Sequence, residues 1–316
     1  MTYVLLASIA ALASFAIAVV AASAAVTLIA APAARRLERY APEYRASVLF
    51  GLRVLPALAA LVCGFAIALP IFAWFEPVDT DEPVSRTLAL IACGGAALLA
   101  RAAWRGFESW RATARTARQW QGRGRLLTGF DTKLPVYAID ASFPIVAVVG
   151  IRKPALFVAE RVLAECSPEE LDAMIAHECA HVRTLDNARR FIVRACPDVV
   201  RTRGRLERAW LDASEEAADA GAAASRPSSA VDLAHALIRV ARLAPLAAPA
   251  LASAFYAGGS IDSRVRRLLE PSSSPRPNLR LVKPLIAIAL VAAAAAIVAA
   301  APLLHDLMET LVRLVP

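Results

Sequence analysis

The chain alternates long charge-free apolar runs with arginine-rich polar stretches. Val4 to Ala34 carries no charge over 31 residues, Val54 to Phe75 none over 22, and Pro284 to Leu304 none over 21. At a rise of about 1.5 Å per residue, each is long enough to cross a bilayer core of about 30 Å as a helix. Thr87 to Ala100 is shorter, 14 residues. It spans if Arg101 snorkels and residues up to Trp104 sit at the interface. The pattern therefore predicts four transmembrane helices, at about 4–34, 54–75, 87–104 and 284–304. The first run lacks a basic leading segment and exceeds the usual signal-peptide length, so it is expected to stay as a span.

Between the third and fourth runs the pattern changes. Residues 105–133 form a basic connector in which arginines alternate with Trp104, Phe107, Trp110 and Trp120. It reads either as an interfacial helix on anionic lipid or as a solvated helical connector. "LPVYAID", "FPIVAVVG" and "ALFVAERV" then carry β-branched residues broken by Pro, Gly and Asp, which predicts a small sheet over about 134–160. Everything after that reads as helix: 168 to about 195, 203–224, 229–243 and a short piece near 260–270. "PSSSPRP" opens a polar linker over 271–283. The expected fold is a mostly α membrane protein whose α+β domain, residues 134–270, lies between the third and fourth spans. A short tail, 305–316, follows the last span.

Composition agrees. The chain is 58% hydrophobic over 316 residues with mean hydropathy +0.53, too apolar for an ordinary soluble protein. The net charge of +8 is mostly a topology signal. Arg35, Arg36, Arg39, Arg45 and Arg53 crowd the first loop, seven arginines run from Arg101 to Arg125 inclusive, and Arg276, Arg280 and Lys283 precede the last run. The loop between the second and third runs is acidic. Positive residues favour the cytoplasmic side, so the domain is expected to face the cytoplasm from the inner membrane. The basic residues sit beside spans rather than on a folded face, which argues against a nucleic-acid partner. Five cysteines without paired spacing are expected to stay reduced.

The chemistry concentrates in "LDAMIAHECAHVRTLDNARR", residues 171–190. "SPEE", Ser167 to Glu170, supplies a capping serine, proline at the first helical position and glutamate at N3, so a helix starts there. Two histidines four apart on that helix, His177 and His181, stack on one face and can both reach one Zn²⁺. Glu178 stands about 100° round the helix, placed to act as general base: the H-E-x-x-H arrangement. A third ligand is expected from "DASEEAADAGAA": Glu215, with Asp219 one turn on as acceptor for the spare N–H of His177. Glu216 points away and is expected to be solvated. Asp186 either holds His181 or closes the helix end. His235 reads as a packed helix residue; it or Tyr256 is an alternative oxyanion stabiliser. Cys179 faces away from the histidines.

"AHECAHVRTLD", followed 34 residues after His181 by "EEAADAGAA", resembles the membrane-embedded gluzincin metallopeptidases. "ADAGAA" is similar to the HtpX and CAAX prenyl-protease type. The span layout, the short step to Glu215 and "SFPIVAVVGIRKPALFVAERVL" look more like the BlaR/MecR antirepressor type, although only "HDLMETLVRLVP" follows the last run where those sensors carry a ligand-binding domain. The resemblance implies one Zn²⁺ per chain, a zincin-like fold and hydrolysis of a protein or peptide substrate. It also implies that the strand around Phe143, Ile145, Val146 and Ala147 offers its edge to an extended substrate. The alternative is a catalytically inactive signalling or scaffold protein; Glu178, the ligand residues and Asp219, which such a copy is expected to lose, are all present.

Overall fold

The computed structural model describes residues 3–75, 84–197, 199, 203–243 and 261–270. The fourth apolar run, the linker before it, the tail and Tyr256 lie outside them. Among the described residues, three helices are long and apolar enough to cross a membrane: α1 (Tyr3–Leu37), α2 (Pro42–Phe75) and α3 (Arg86–Arg123). α2 starts well before its apolar run and passes through a π-helical stretch, Val62–Ala68. There Gly64 lets α1 approach closely, since a Cβ would sit 2.7 Å from the Ala11 carbonyl oxygen. α3 does not stop at the end of its apolar run. It continues as one helix through the arginine- and tryptophan-rich stretch to Arg123. The connector is thus a rigid extension of the third candidate span rather than a separate helix.

α3 leads into a four-stranded sheet of order β1-β2-β4-β3: β1 (Arg125–Leu127), β2 (Val136–Ile139), β3 (Val146–Val149) and β4 (Ala155–Ala159). β2 and β4 are parallel and the other pairs antiparallel. β4 is buried along its whole length, as a central strand covered on both faces must be, and its uninterrupted apolar sequence reflects that. The rings of Trp120 and Tyr137 pack on Phe157 at 5.3 and 5.5 Å. β1 is a strand the valine-rich pattern did not predict. β3 is the sheet edge beside the helices.

The helical part comprises α4 (Glu160–Glu165), α5 (Pro168–Arg183), α6 (Asp186–Ala195), α7 (Arg203–Ala223), α8 (Ser229–Leu243) and α9 (Ile261–Leu269). The capping box at Ser167 and Glu170 forms as read. The single helix expected over 168–195 does not. Leu185 takes a left-handed conformation at φ 57°, Thr184 folds its hydroxyl back on the carbonyls of Ala180 and His181, and the chain restarts as α6. The break turns Asp186 back towards the end of α5. No glycine marks it, and the sequence offered only Asp186 as one reading of a helix end.

α5 and α8 close over the sheet around Leu156, Phe157, Val162, Met174 and Leu233. A second core joins the domain to the candidate spans: Val26, Leu37 and Leu49 pack with Val193, Leu206 and Trp210. α7 is thereby fixed on both sides, to α5 and to α2.

Candidate metal centre

α5 presents His177 and His181 one turn apart, with ring centroids 4.8 Å apart. α7 crosses beside it and brings Glu215 to the pair: Oε2 lies 3.5 Å from His177 Nε2, and Oε1 3.5 Å from His181 Nε2. The two Nε2 atoms are 3.2 Å apart. Donors 2.0–2.1 Å from one tetrahedral zinc stand about 3.3–3.4 Å from each other. The three side chains thus form a grouping that can hold a metal ion, with donor spacings that fit zinc.

Charge makes the same point. Glu178, Asp186, Glu215 and Asp219 converge here, against the guanidiniums of Arg190 and Arg264. With neutral imidazoles, four carboxylates face three guanidiniums, Arg189 Nη1 lying 3.8 Å from Asp186 Oδ1, so the cluster favours an added cation. Burial alone would push both imidazoles down. Asp219 and Glu215 outweigh it at His177 and hold it above its ordinary value; Asp186 and Glu215 lift His181 to about 10. Burial would raise Glu215, yet the two imidazoles hold it well below the usual carboxylate range. Carboxylates that favour the charged form of both imidazoles also favour a cation held between them.

The outer partners orient the rings. His181 Nδ1 meets Asp186 Oδ2 at 2.6 Å, and the buried Ser214 hydroxyl donates to the same oxygen at 2.5 Å. Asp186 is also the first residue of α6 and does not cap α5, whose C-cap is Thr184. Asp219 Oδ1 lies 3.0 Å from His177 Nδ1, off the axis of an ideal N–H···O bond. Asp219 in turn accepts from Arg264 Nε at 2.8 Å and Nη2 at 2.6 Å. Burial would raise its carboxyl, but His177 and Arg264 bring it down to about 2. We expect Asp219→Asn to weaken zinc binding roughly 10–100-fold and to lower thermal stability, because Arg264 then stays buried with half its countercharge. Titration against a chromophoric chelator and a melting curve measure the two.

Glu178 lines the cavity beside the histidines. Its Oε2 accepts the Val148 backbone N–H of β3 at 2.9 Å. Asn187, just past the helix break, donates its side-chain amide to the carbonyls of Val148 and Gly150, both at 3.0 Å. The edge strand is thus tied to the motif helix at one end. Ile145, Val146 and Ala147 line the cavity as well, whereas Phe143 packs against the core. The cavity holds about 140 Å³, and its far wall is apolar, from Leu233, Leu237 and Val240 on α8.

Three placements differ from the sequence reading. Glu216 is not solvated: it pairs with Arg45 of α2 and lies 3.4 Å from Arg267 Nη2, because α7 lies between α2 and α9. His235 is exposed on α8 and does not line the cavity. Arg264, Arg190 and Asn187 belong to the site and were missed. One arginine among many carries no spacing signal, and Asn187 becomes visible only once the chain breaks at Leu185. Cys179 lies away from the histidines, with its sulfur 3.3 Å from the Thr132 hydroxyl.

Residues 128–271 match the model of peptidase family M48. That span holds β2, β3 and β4, the two histidines, Glu215 and Arg264, and it begins just after β1. Peptidases of family M48 are zinc-dependent, and the grouping that could hold a metal lies within the matched residues. No curated protein matches the chain.

Proposed function

We propose that the chain is an integral membrane, zinc-dependent endopeptidase that hydrolyses peptide bonds of cytoplasmic or membrane-proximal proteins, in regulated proteolysis or membrane-protein turnover. The observation that carries this reading is the convergence of His177, His181 and Glu215 with Glu178 on one small cavity bordered by a strand edge. The arginine distribution supports a domain on the cytoplasmic face of the inner membrane, with a fourth span over 284–304. Three candidate spans ahead of the domain, and the 34-residue step from His181 to Glu215, favour the BlaR/MecR-type layout over the HtpX type.

Zinc, when bound, supplies Lewis acidity and lowers the pKa of water. The protein supplies the rest. Asp186 and Asp219 hold the imidazoles so that both Nε2 atoms face the cavity. Val148 N–H holds one oxygen of Glu178, leaving the other to take a proton from the attacking water and deliver it to the leaving amine. β3 offers Val146 to a substrate main chain, since both polar groups of Val148 are engaged. The apolar wall from α8 receives a neighbouring side chain.

Metal removal tests the proposal. In membranes containing the chain, new protein N-termini accumulate; a zinc chelator abolishes them, and added zinc restores them. N-termini that persist through chelation count against a metallopeptidase.

A further inference from the structure

The cavity has two unlike ends, and the Glu215 carboxylate marks them. Its Oε2 lies 3.5 Å from His177 Nε2 and 3.4 Å from Arg264 Nη1. Its Oε1 lies 3.5 Å from His181 Nε2 and 3.3 Å from Arg190 Nη2. Arg264 comes from α9, which packs on α8, and α8 supplies the apolar wall of Leu233, Leu237 and Val240. Arg190 comes from α6 and lines the cavity together with His181, Asp186 and Asn187. One end is therefore apolar and the other cationic.

The guanidiniums around the ligands differ in what they have left to give. Arg264 is buried and donates Nε and Nη2 to Asp219. Arg189 lies between Asp186 Oδ1, at 3.8 Å, and the ring of Phe50, 5.4 Å away. Arg190 lines the cavity with a side chain 39% exposed. Among the described residues Glu215 is its one hydrogen-bond partner, reached through a single nitrogen. A guanidinium carries five N–H donors in a rigid planar fork. The Nε of Arg190 is buried, so a ligand meets the fork at Nη1 and Nη2.

We propose that Arg190 selects an acidic residue next to the scissile bond. The proposal rests on the endopeptidase reading and names the sequences that such a site accepts. An extended chain lying along β3 sends consecutive side chains to opposite faces. The two residues flanking the scissile bond therefore meet different walls, one the apolar wall of α8 and the other Arg190. A carboxylate at Arg190 makes a charge-assisted pair with the outer edge of the fork. A glutamine there keeps the shape and loses the charge, and a lysine or arginine meets a like charge. Arg190 touches the residue beside the bond and not the reacting atoms, so it sets specificity. Water screens a side chain this exposed, and we expect glutamate to be preferred over glutamine roughly 5–20-fold.

The test gives the full chain, in detergent, a peptide library digested from a whole proteome. Mass spectrometry reads the residues on both sides of every chelator-sensitive cut. Asp and Glu should be enriched at one flanking position and apolar residues at the other. Arg190→Gln should erase the acidic enrichment, and Arg190→Glu should turn it into a preference for Lys and Arg. Both should leave the apolar position unchanged. Enrichment is a ratio within one digest, so a slower variant still reports it. Binding gives a reading without turnover: a peptide cut by the native chain and its glutamate-to-glutamine twin are titrated against Glu178→Gln by fluorescence anisotropy. Their Kd values should differ by the same factor, and adding Arg190→Gln should make them equal. If Arg190 only braces Glu215, Arg190→Gln loses zinc and slows every cut alike while the flanking residues stay the same. That result, cuts without acidic enrichment, or a Kd difference that survives in the double variant overturns the role of Arg190 and leaves the endopeptidase reading intact. No chelator-sensitive cuts from the native chain remove both.

Discussion

Glu178→Gln keeps its metal and loses cleavage. The glutamine is nearly isosteric, and its amide oxygen can accept the Val148 N–H that Glu178 accepts at 2.9 Å, so the strand edge stays tied to α5. The donor set of His177, His181 and Glu215 is untouched. What disappears is a group that can take up a proton beside the cavity. Loss of a positioned general base lowers turnover by roughly 10²–10⁴-fold, with zinc content unchanged on elemental analysis. The new N-termini seen with the native chain then vanish from the variant's membranes. A variant that binds zinc and cuts at the native rate would mean that Glu178 does not move the proton.

The parts of this site legible in the sequence are those set within one helix. His177, Glu178 and His181 keep their relation wherever α5 goes, because a turn of helix fixes it. Ser167 and Glu170 announced where that helix starts. Glu215 and Asp219 were readable as a pair one turn apart, and the histidine motif gave a reason to look for them. The left-handed residue at Leu185 was hidden because leucine rarely adopts that conformation. It turns Asp186 onto His181 and brings Asn187 to β3. Glu216 looked like the wet face of an alanine-rich helix. It is half of the joint between α7 and α2, and only tertiary packing could reveal that. The arginines read as a charge pattern along candidate spans, and that pattern could not single out Arg264, which is buried against Asp219, nor Arg45, which links a candidate span to α7.

That link sharpens the other large prediction. Glu215→Ala removes one of three donors and leaves a surplus of positive charge: Arg264 Nη1 lies 3.4 Å and Arg190 Nη2 3.3 Å from the lost carboxylate. A dication then meets two imidazoles flanked by guanidiniums no longer held by Glu215, and both the lost bond and the Coulomb term oppose binding. Even partners outside the ligand set cost roughly 10–100-fold in metal affinity, so removing a ligand is expected to cost at least about 100-fold. Excess zinc raises the melting temperature of the native chain through preferential binding to the folded state; the melting temperature of Glu215→Ala should stay nearly flat over the same zinc range. Glu216→Ala is the control, because it breaks the pairs with Arg45 and Arg267 and leaves the donor set whole. It should keep the zinc-dependent rise while melting earlier. If the two variants bind zinc alike, Glu215 is not the third ligand, and α7 serves only to hold the domain against α2.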